Sequence, residues 1–394
     1  MNILFYVSNL SYPPIEGAHA RTLELIDVLA SRGHTITLSG FVKKSSPFDS
    51  VLYKKNHSKI NIISFRKYSG NYISQALKNT LTRIEFPAAD IVHFEGFAVI
   101  SCGSSCKSPK ILSLIDPWAI RQARKADAES TTIKKAILRI GSIVSNILEK
   151  IYLKKYSHVH VVSPTDAIAL RKSHNLSNVV HIPVSFDQQN MLPKKTDYSI
   201  KNKLKIVFWG DLHVEYLLES LRWYLLNVHQ VITSQIDIDF YILGRVSKTY
   251  IAEKIPTLTE APNIHIIEWT QDLNSFLSSM DVAVLPDISG TGLKNRTLHA
   301  MALGLPTLGS TFAFEGIDIE SVASKAICST SQDYIKCLKE LSTSSQQRSD
   351  LAYNLKNVIS NNYDATAIAM EWEQLYQVTN EGALRSGGYN AGPK

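Results

Sequence analysis

Short apolar runs alternate with stretches of helical period along the whole chain. In the first half the runs Ile3–Val7, Thr35–Leu38, Ile60–Ser64, Ile91–Phe94, Ile111–Ile115, Val159–Val162 and Val179–Ile182 predict buried strands. Between the first two, Leu23, Ile26 and Ala30 share one side of a helix over Ala18–Ser31, and Gly33 stops it. The polar stretch Phe186–Lys203 predicts a linker. The pattern then restarts at Leu204, with strands at Ile238–Leu243, Ile264–Ile267, Val282–Leu285 and Thr307–Leu308. Helices follow at 331–342 and 347–361, then Ala365–Val378. Strand and helix in alternation imply an α/β architecture with mainly parallel sheets. The predicted organisation is a doubly wound domain over 1–190, a second over 204–361, a C-terminal helix over 362–380 and a disordered tail over 381–394. Two such domains leave a cleft at the C-terminal ends of their strands, where open α/β sheets bind ligands.

Composition changes this picture little. The chain has 394 residues, 44% hydrophobic and 20% charged, as in soluble globular proteins. No run reaches the roughly 18–20 apolar residues of a membrane span, and the apolar start reads as a strand rather than a signal peptide. Cys102, Cys106, Cys328 and Cys337 show no zinc spacing, so reduced thiols and a cytoplasmic location are expected. Charge is more informative. Residues 1–190 carry +11 and the remainder −4, which sums to the net +7. A basic first half suits an anionic partner, such as a lipid headgroup or a phosphorylated acceptor. The predicted helix Ile133–Lys155 repeats Ile133, Ile137, Ile140, Val144, Ile147 and Ile151, with Lys134, Lys135, Arg139, Lys150, Lys154 and Lys155 off that line. Such a helix can lie on an anionic bilayer or pack on the core; core packing is the expectation.

Candidate chemistry concentrates in residues 286–310, PDISGTGLKNRTLHAMALGLPTLGS. A strand runs into a loop with Gly290, Thr291 and Gly292, and the loop opens a helix expected over Leu293–Leu303. Strand, glycine loop and helix N-terminus in that order make an anion site. Lys294 and Arg296 put positive charge where the helix dipole opposes it, which suggests an external anion. An ordinary turn with solvated cations has the same pattern.

Other strand ends carry weaker signals. The loop Ser8–Arg21, with Pro13, Pro14 and Gly17, is a second candidate anion site. His93 and Glu95 end one strand, and a histidine there can act as a general base. Asp116 follows another strand and could fix a hydroxyl; Asp before Pro is equally a turn former. In the second half Gly210, Arg245 and the stretch Trp269, Thr270, Gln271, Asp272, Leu273 occupy strand ends that could border a nucleobase.

These residues resemble bacterial GT-B glycosyltransferases of the GT4 type. The marks are Tyr12-Pro13-Pro14…Gly17…Arg21, then Leu29–Thr37, Asp90–His93, and Val162–Asp166 before His181-Ile182-Pro183. Most specific is Gly290–Pro306, similar to a subgroup reading roughly "GsGiKnKvlEAmAlGlPVv", with Phe314-Glu315-Gly316 after it. The resemblance implies a GT-B fold, two Rossmann-like domains facing across a cleft with the C-terminal helix crossing back to the first. It implies a retaining transferase that uses a UDP- or GDP-sugar and needs no metal or other cofactor. The acceptor would be a saccharide or lipid-linked molecule of a bacterial surface polysaccharide or glycolipid. The enzyme would sit at the inner face of the cell membrane, in peripheral contact with anionic lipid. Gly17 would lie near the donor phosphates. Lys294, and Arg296 with it, would neutralise the diphosphate. Trp269–Leu273 would border the base, and His93 or Asp116 would face acceptor and sugar. The donor would also contact Gly210, Arg245, Gly290, Thr291, Gly292, Leu293, Asn295 and His299. Three departures stand out: His299 replaces the family's ribose-binding glutamate, Thr291 stands where the other glutamate, eight residues earlier, would be, and no Arg/Lys pair follows Gly210. They keep open a non-catalytic nucleotide-sugar-binding subunit, or a GT-B nucleotide-sugar epimerase. A nucleic-acid role lacks an aromatic platform among the basic residues.

Overall fold

The computed structural model describes all residues except 15–16, 46, 130, 187–194, 200–202, 245–246, 257–261, 269, 271, 291 and 388–394, and the side chains of 64, 128 and 384–387. The chain forms two compact units, Met1–Ser185 with Ala365–Lys394, and Phe186–Asp364.

In the first unit seven parallel strands stand in the order β3-β2-β1-β4-β5-β6-β7. They are β1 (Asn2–Val7), β2 (Thr35–Lys43), β3 (Ile60–Tyr68), β4 (Ile91–Glu95), β5 (Lys110–Ile115), β6 (His158–Val161) and β7 (Val179–His181). Side chains of β1 alternate between two cores. Ile3, Phe5 and Val7 pack with Leu23, Ile26 and Leu29 of the helix Gly17–Ser31, while Leu4 and Tyr6 pack on the other face with Phe94 and Leu112. Burial on both faces explains the near-continuous apolar runs. Strands β2 and β3 run past their expected ends because backbone pairing continues from Gly40–Phe65 to Lys43–Tyr68 after a register shift.

The C-terminal helix, Ala365–Gly387, belongs to this first unit. Ile368, Ala369, Trp372 and Tyr376 complete the core that holds Ile3 and Phe5. Glu373 accepts from the Arg32 guanidinium at 2.8 Å twice and lies 2.9 Å from His34. The Arg32 hydrogen bond, helped by His34, pulls its carboxyl down to about 2. The helix runs on to Gly387, past the expected stop at Val378, so residues 381–387 are helical rather than tail.

The second unit has five parallel strands in the order β10-β9-β8-β11-β12. They are β8 (Leu204–Trp209), β9 (Ile238–Leu243), β10 (Ile264–Ile267), β11 (Val282–Leu285) and β12 (Thr307–Gly309). The described part of the expected linker is fastened to this unit. Lys195 is buried 3.6 Å from Asp281, the Tyr198 hydroxyl donates to the Gly304 carbonyl at 3.0 Å, and Arg348 donates to the Tyr198 carbonyl. A buried lysine paired with an acid far away in sequence leaves no local signal, which is why this stretch reads as a polar linker.

Core packing of the basic helix is corrected by the structure. The helix spans Thr132–Tyr152, and its buried side is Ser145, Leu148 and Glu149. Of the predicted row only Val144 packs against the core; Ile133, Ile137, Ile140, Ile147 and Ile151 are exposed.

Candidate functional site

Strand order reverses between β8 and β11 in the second unit, so the loops after these strands flank its topological switch point. Gly210 directly follows β8, and the loop 286–294 follows β11. Gly290 and Gly292 have φ of 130° and 71°, conformations that side-chain-bearing residues rarely adopt. The helix behind the loop is Asn295–Leu303, two residues later than expected, because Lys294 is its extended N-cap. No side chain caps it, so its first-turn amides keep the anion-binding character of a bare helix start. Leu298, Ala300, Met301 and Leu303 bury its other side, and Gly304 closes it in the left-handed conformation.

Lys294 is nearly buried. Its ammonium donates to the Gly292 carbonyl at 2.6 Å and lies 3.7 Å from the Glu315 carboxylate. The loop thus folds over its own cation, with Lys294 Cε 3.1 Å from where a Cβ on Gly290 would lie. Arg296 has a different place from the one its spacing implies. Its guanidinium turns inward, pairs closely with the buried Asp287 and donates to the Trp209 carbonyl at 3.0 Å. It ties β8 to the loop after β11 and is not directed at a diphosphate. Leu293 and Asn295 are half-buried beside Lys294. His299 Nε2 bonds Asn274 Oδ1 at 2.7 Å. Thr270 donates to the Asp272 carbonyl at 3.3 Å, and Asp272 caps the helix Leu273–Ser278 that Leu273 opens. Arg245, Trp269, Gln271 and Thr291 lie outside the described residues.

Sequence reasoning missed Asp287, Tyr216 and Asn274. Asp287 directly follows the strand in Pro286-Asp287, and its spacing to Arg296 was the available signal. Tyr216 stands beside Gly290, and burial raises its hydroxyl pKa. Glu315 was visible in the motif but had no assigned partner.

In the first unit the corresponding reversal lies between β1 and β4. Gly17 is exposed at the start of its helix. Another residue that spacing did not single out, His19, is buried behind it and holds Asn9 at 3.1 Å and Ser11 at 2.8 Å. Asn9 in turn accepts from the Lys43 amide, so the loop after β1 is braced from within. His93 does not face an acceptor. It is fully buried, stacked on Phe5 at 4.5 Å and bonded to Tyr376 at 2.7 Å and Glu95 at 3.1 Å. Docking of the C-terminal helix makes it a core residue. Asp116 follows β5 and is half-buried. The preceding Ile115 has φ of 65°, and the Asp116 amide donates back to Leu114 at 2.8 Å. A β-branched residue in this tight turn is strained, and such strain collects at functional sites. Arg121 lies 3.8 Å from the Asp116 carboxylate. Lys125 is near both; burial, followed by Arg121, lowers its pKa.

Comparison with known proteins bears on the second constellation. Residues 203–341 match the family Glycosyl transferases group 1. That segment holds Gly210, the glycine loop, Lys294, Arg296, Glu315 and His299. The "Uncharacterized 44.6 kDa protein in cps region" of Klebsiella pneumoniae is 25% identical over 194 residues, 48% of this chain. The match spans about half of that relative, 48% of its length. Among solved structures, Anabaena Alr3699/HepE in complex with UDP is similar over 96% of this chain and 100% of its own, with TM-score 0.65 and 12% identity. Sucrose-phosphate synthase from Thermosynechococcus elongatus is similar over 96% and 98%, with TM-score 0.70 and 12% identity. The fold is GT-B, with two Rossmann-like domains.

Proposed function

We propose that the chain is a retaining, GT4-type glycosyltransferase. It moves a sugar from a UDP- or GDP-sugar to a saccharide or lipid-linked acceptor, in synthesis of a bacterial surface polysaccharide or glycolipid. The observation that carries this reading is the uncapped helix start with Lys294 above it, at the switch point of the unit that matches glycosyltransferases. Structures similar in fold have been solved with UDP and with UDP-glucose.

The chemistry follows from charge. As the bond from anomeric carbon to diphosphate oxygen breaks, negative charge grows on the departing diphosphate. First-turn amides and the Lys294 ammonium stabilise that charge more than the ground state, which lowers the barrier. A donor diphosphate would take the place of Glu315 as partner of Lys294. Arg296 acts on the site only by holding Gly210 and the loop after β11 together. Asp116, held after the strained Ile115, is the carboxylate assigned to fix an acceptor hydroxyl. Lys294→Ala should cut transfer by about 10²–10³-fold while the fold persists. Unchanged turnover with the right donor would remove Lys294 from the reaction.

A second reading, a nucleotide-sugar-binding subunit without transferase activity, draws on His299, whose ring is engaged with Asn274. Tight donor binding without hydrolysis or transfer across many acceptors would favour it.

A further inference from the structure

The helix Thr132–Tyr152 turns the wrong side outward for a globular protein. Ile133, Ile137, Ile140, Ile143, Ile147 and Ile151 are between 49% and 73% exposed. At 3.6 residues per turn they fall in an arc of roughly 120°, along a helix about 30 Å long. Its inward side packs through few apolar residues, Leu148 and the half-buried Val144, among small and polar ones: Gly141 lies against Gln122 and Ile73, Ser142 donates to the Ala119 carbonyl, and Ser145 is buried. An isolated exposed isoleucine needs no explanation, but six along one side of a helix do.

Charge says what covers the row. Lys135, Arg139 and Lys150 run along one flank, Lys134 stands at the start, and Lys154 and Lys155 extend the basic end. The helix's only acid, Glu149, points inward to the Ala119 amide and to His174 at 3.2 Å each. Nearby acids are few: Asp127 is paired with Arg139, and Glu129 accepts from the Thr131 amide. A second copy of the chain would bring these cations against each other. A negatively charged apolar surface would neutralise them and bury the isoleucines together.

We propose that this helix is a peripheral docking surface for anionic phospholipid. It lies in the plane of the headgroups with the isoleucine row at the acyl boundary and the lysines among the phosphates. No helix among the described residues is long and apolar enough to cross a membrane, so the contact is lateral. The inference rests on the first unit's surface and not on the transferase reading.

Flotation of the full chain with phosphatidylcholine vesicles, and with phosphatidylcholine–phosphatidylglycerol vesicles, tests it. Binding should require phosphatidylglycerol and weaken steeply with salt. The double variant Ile140→Glu/Ile147→Glu should reduce binding on the order of a hundredfold. Lys150→Gln and Lys154→Gln should each reduce it about fivefold. All four side chains are exposed, so melting of the variants should match the parent, and circular dichroism checks this. Equal binding to neutral vesicles, or binding indifferent to these substitutions, would overturn the proposal. So would a concentration-dependent dimer that Ile140→Glu/Ile147→Glu dissolves with no vesicle binding by the parent. Because flotation reads no sugar transfer, it can fail while the transferase reading stands.

Discussion

Lys294 and Arg296 lie two positions apart in sequence, yet their charges go to different places. Lys294 stays at the helix start, over the glycine loop. Arg296 points beneath it and pairs with Asp287, whose side chain is fully buried. Removing one partner of a buried pair leaves the other charge uncompensated. Asp287→Asn should therefore cost about 3–5 kcal/mol, read as a lowered urea midpoint. The double change Asp287→Leu/Arg296→Met should cost less than either single change. A second residue-scale prediction concerns acid. His160 is buried between the Ser113 hydroxyl at 3.0 Å and the Ile182 carbonyl at 2.8 Å. Burial pushes its pKa down to about 3 from an ordinary 6.5. The unfolded chain then binds a proton that the folded chain refuses, so this contribution is full above 6.5 and is lost as pH falls toward 3. His160→Gln should flatten the loss of stability measured between pH 6.5 and 4.

At the scale of elements, the C-terminal helix is the least local part of the fold. Its sequence announces a helix, but only packing shows that Trp372 lies against His93 and His160, at 4.8 and 4.5 Å. Trp372→Ala should destabilise the first unit by about 3–5 kcal/mol, visible as an early transition in thermal melting. Truncation before Ala365 should expose Ile3 and Phe5 and yield insoluble protein rather than a trimmed one. The Glu373 carboxyl, lowered by Arg32 and His34, adds stability above its ordinary 4.5 that is lost as pH falls through about 2. Glu373→Gln should remove that acid-sensitive part of the helix's docking. Strand positions were legible because strands buried on both faces need apolar residues at every position. Their ends were less so, since β2 and β3 continue past a register shift into segments that mix buried Phe41, Val42 and Tyr68 with Arg66 and Lys67. The basic helix defeated the periodicity argument, because an apolar row looks the same whether protein or another surface covers it.

At the scale of the molecule, one screen separates the donor candidates. Specific binding stabilises by mass action, by about 2.7 kcal/mol at a ligand concentration of 100 Kd. UDP-sugars and GDP-sugars should therefore differ clearly in the melting temperature they produce, and Lys294→Ala should shrink the larger shift. Failure of every nucleotide sugar to move the transition would count against a donor site.

By itself the sequence determined the alternation of strand and helix, the two-part organisation and the glycine loop with its cation. Each is written in local period and spacing, which chain geometry translates directly. Tertiary structure decided what distant residues do to one another: which cation stays at the loop, which histidine is walled into a core, and which helix face is left uncovered. Burial and charge pairing depend on neighbours far away in sequence, and no local pattern records them.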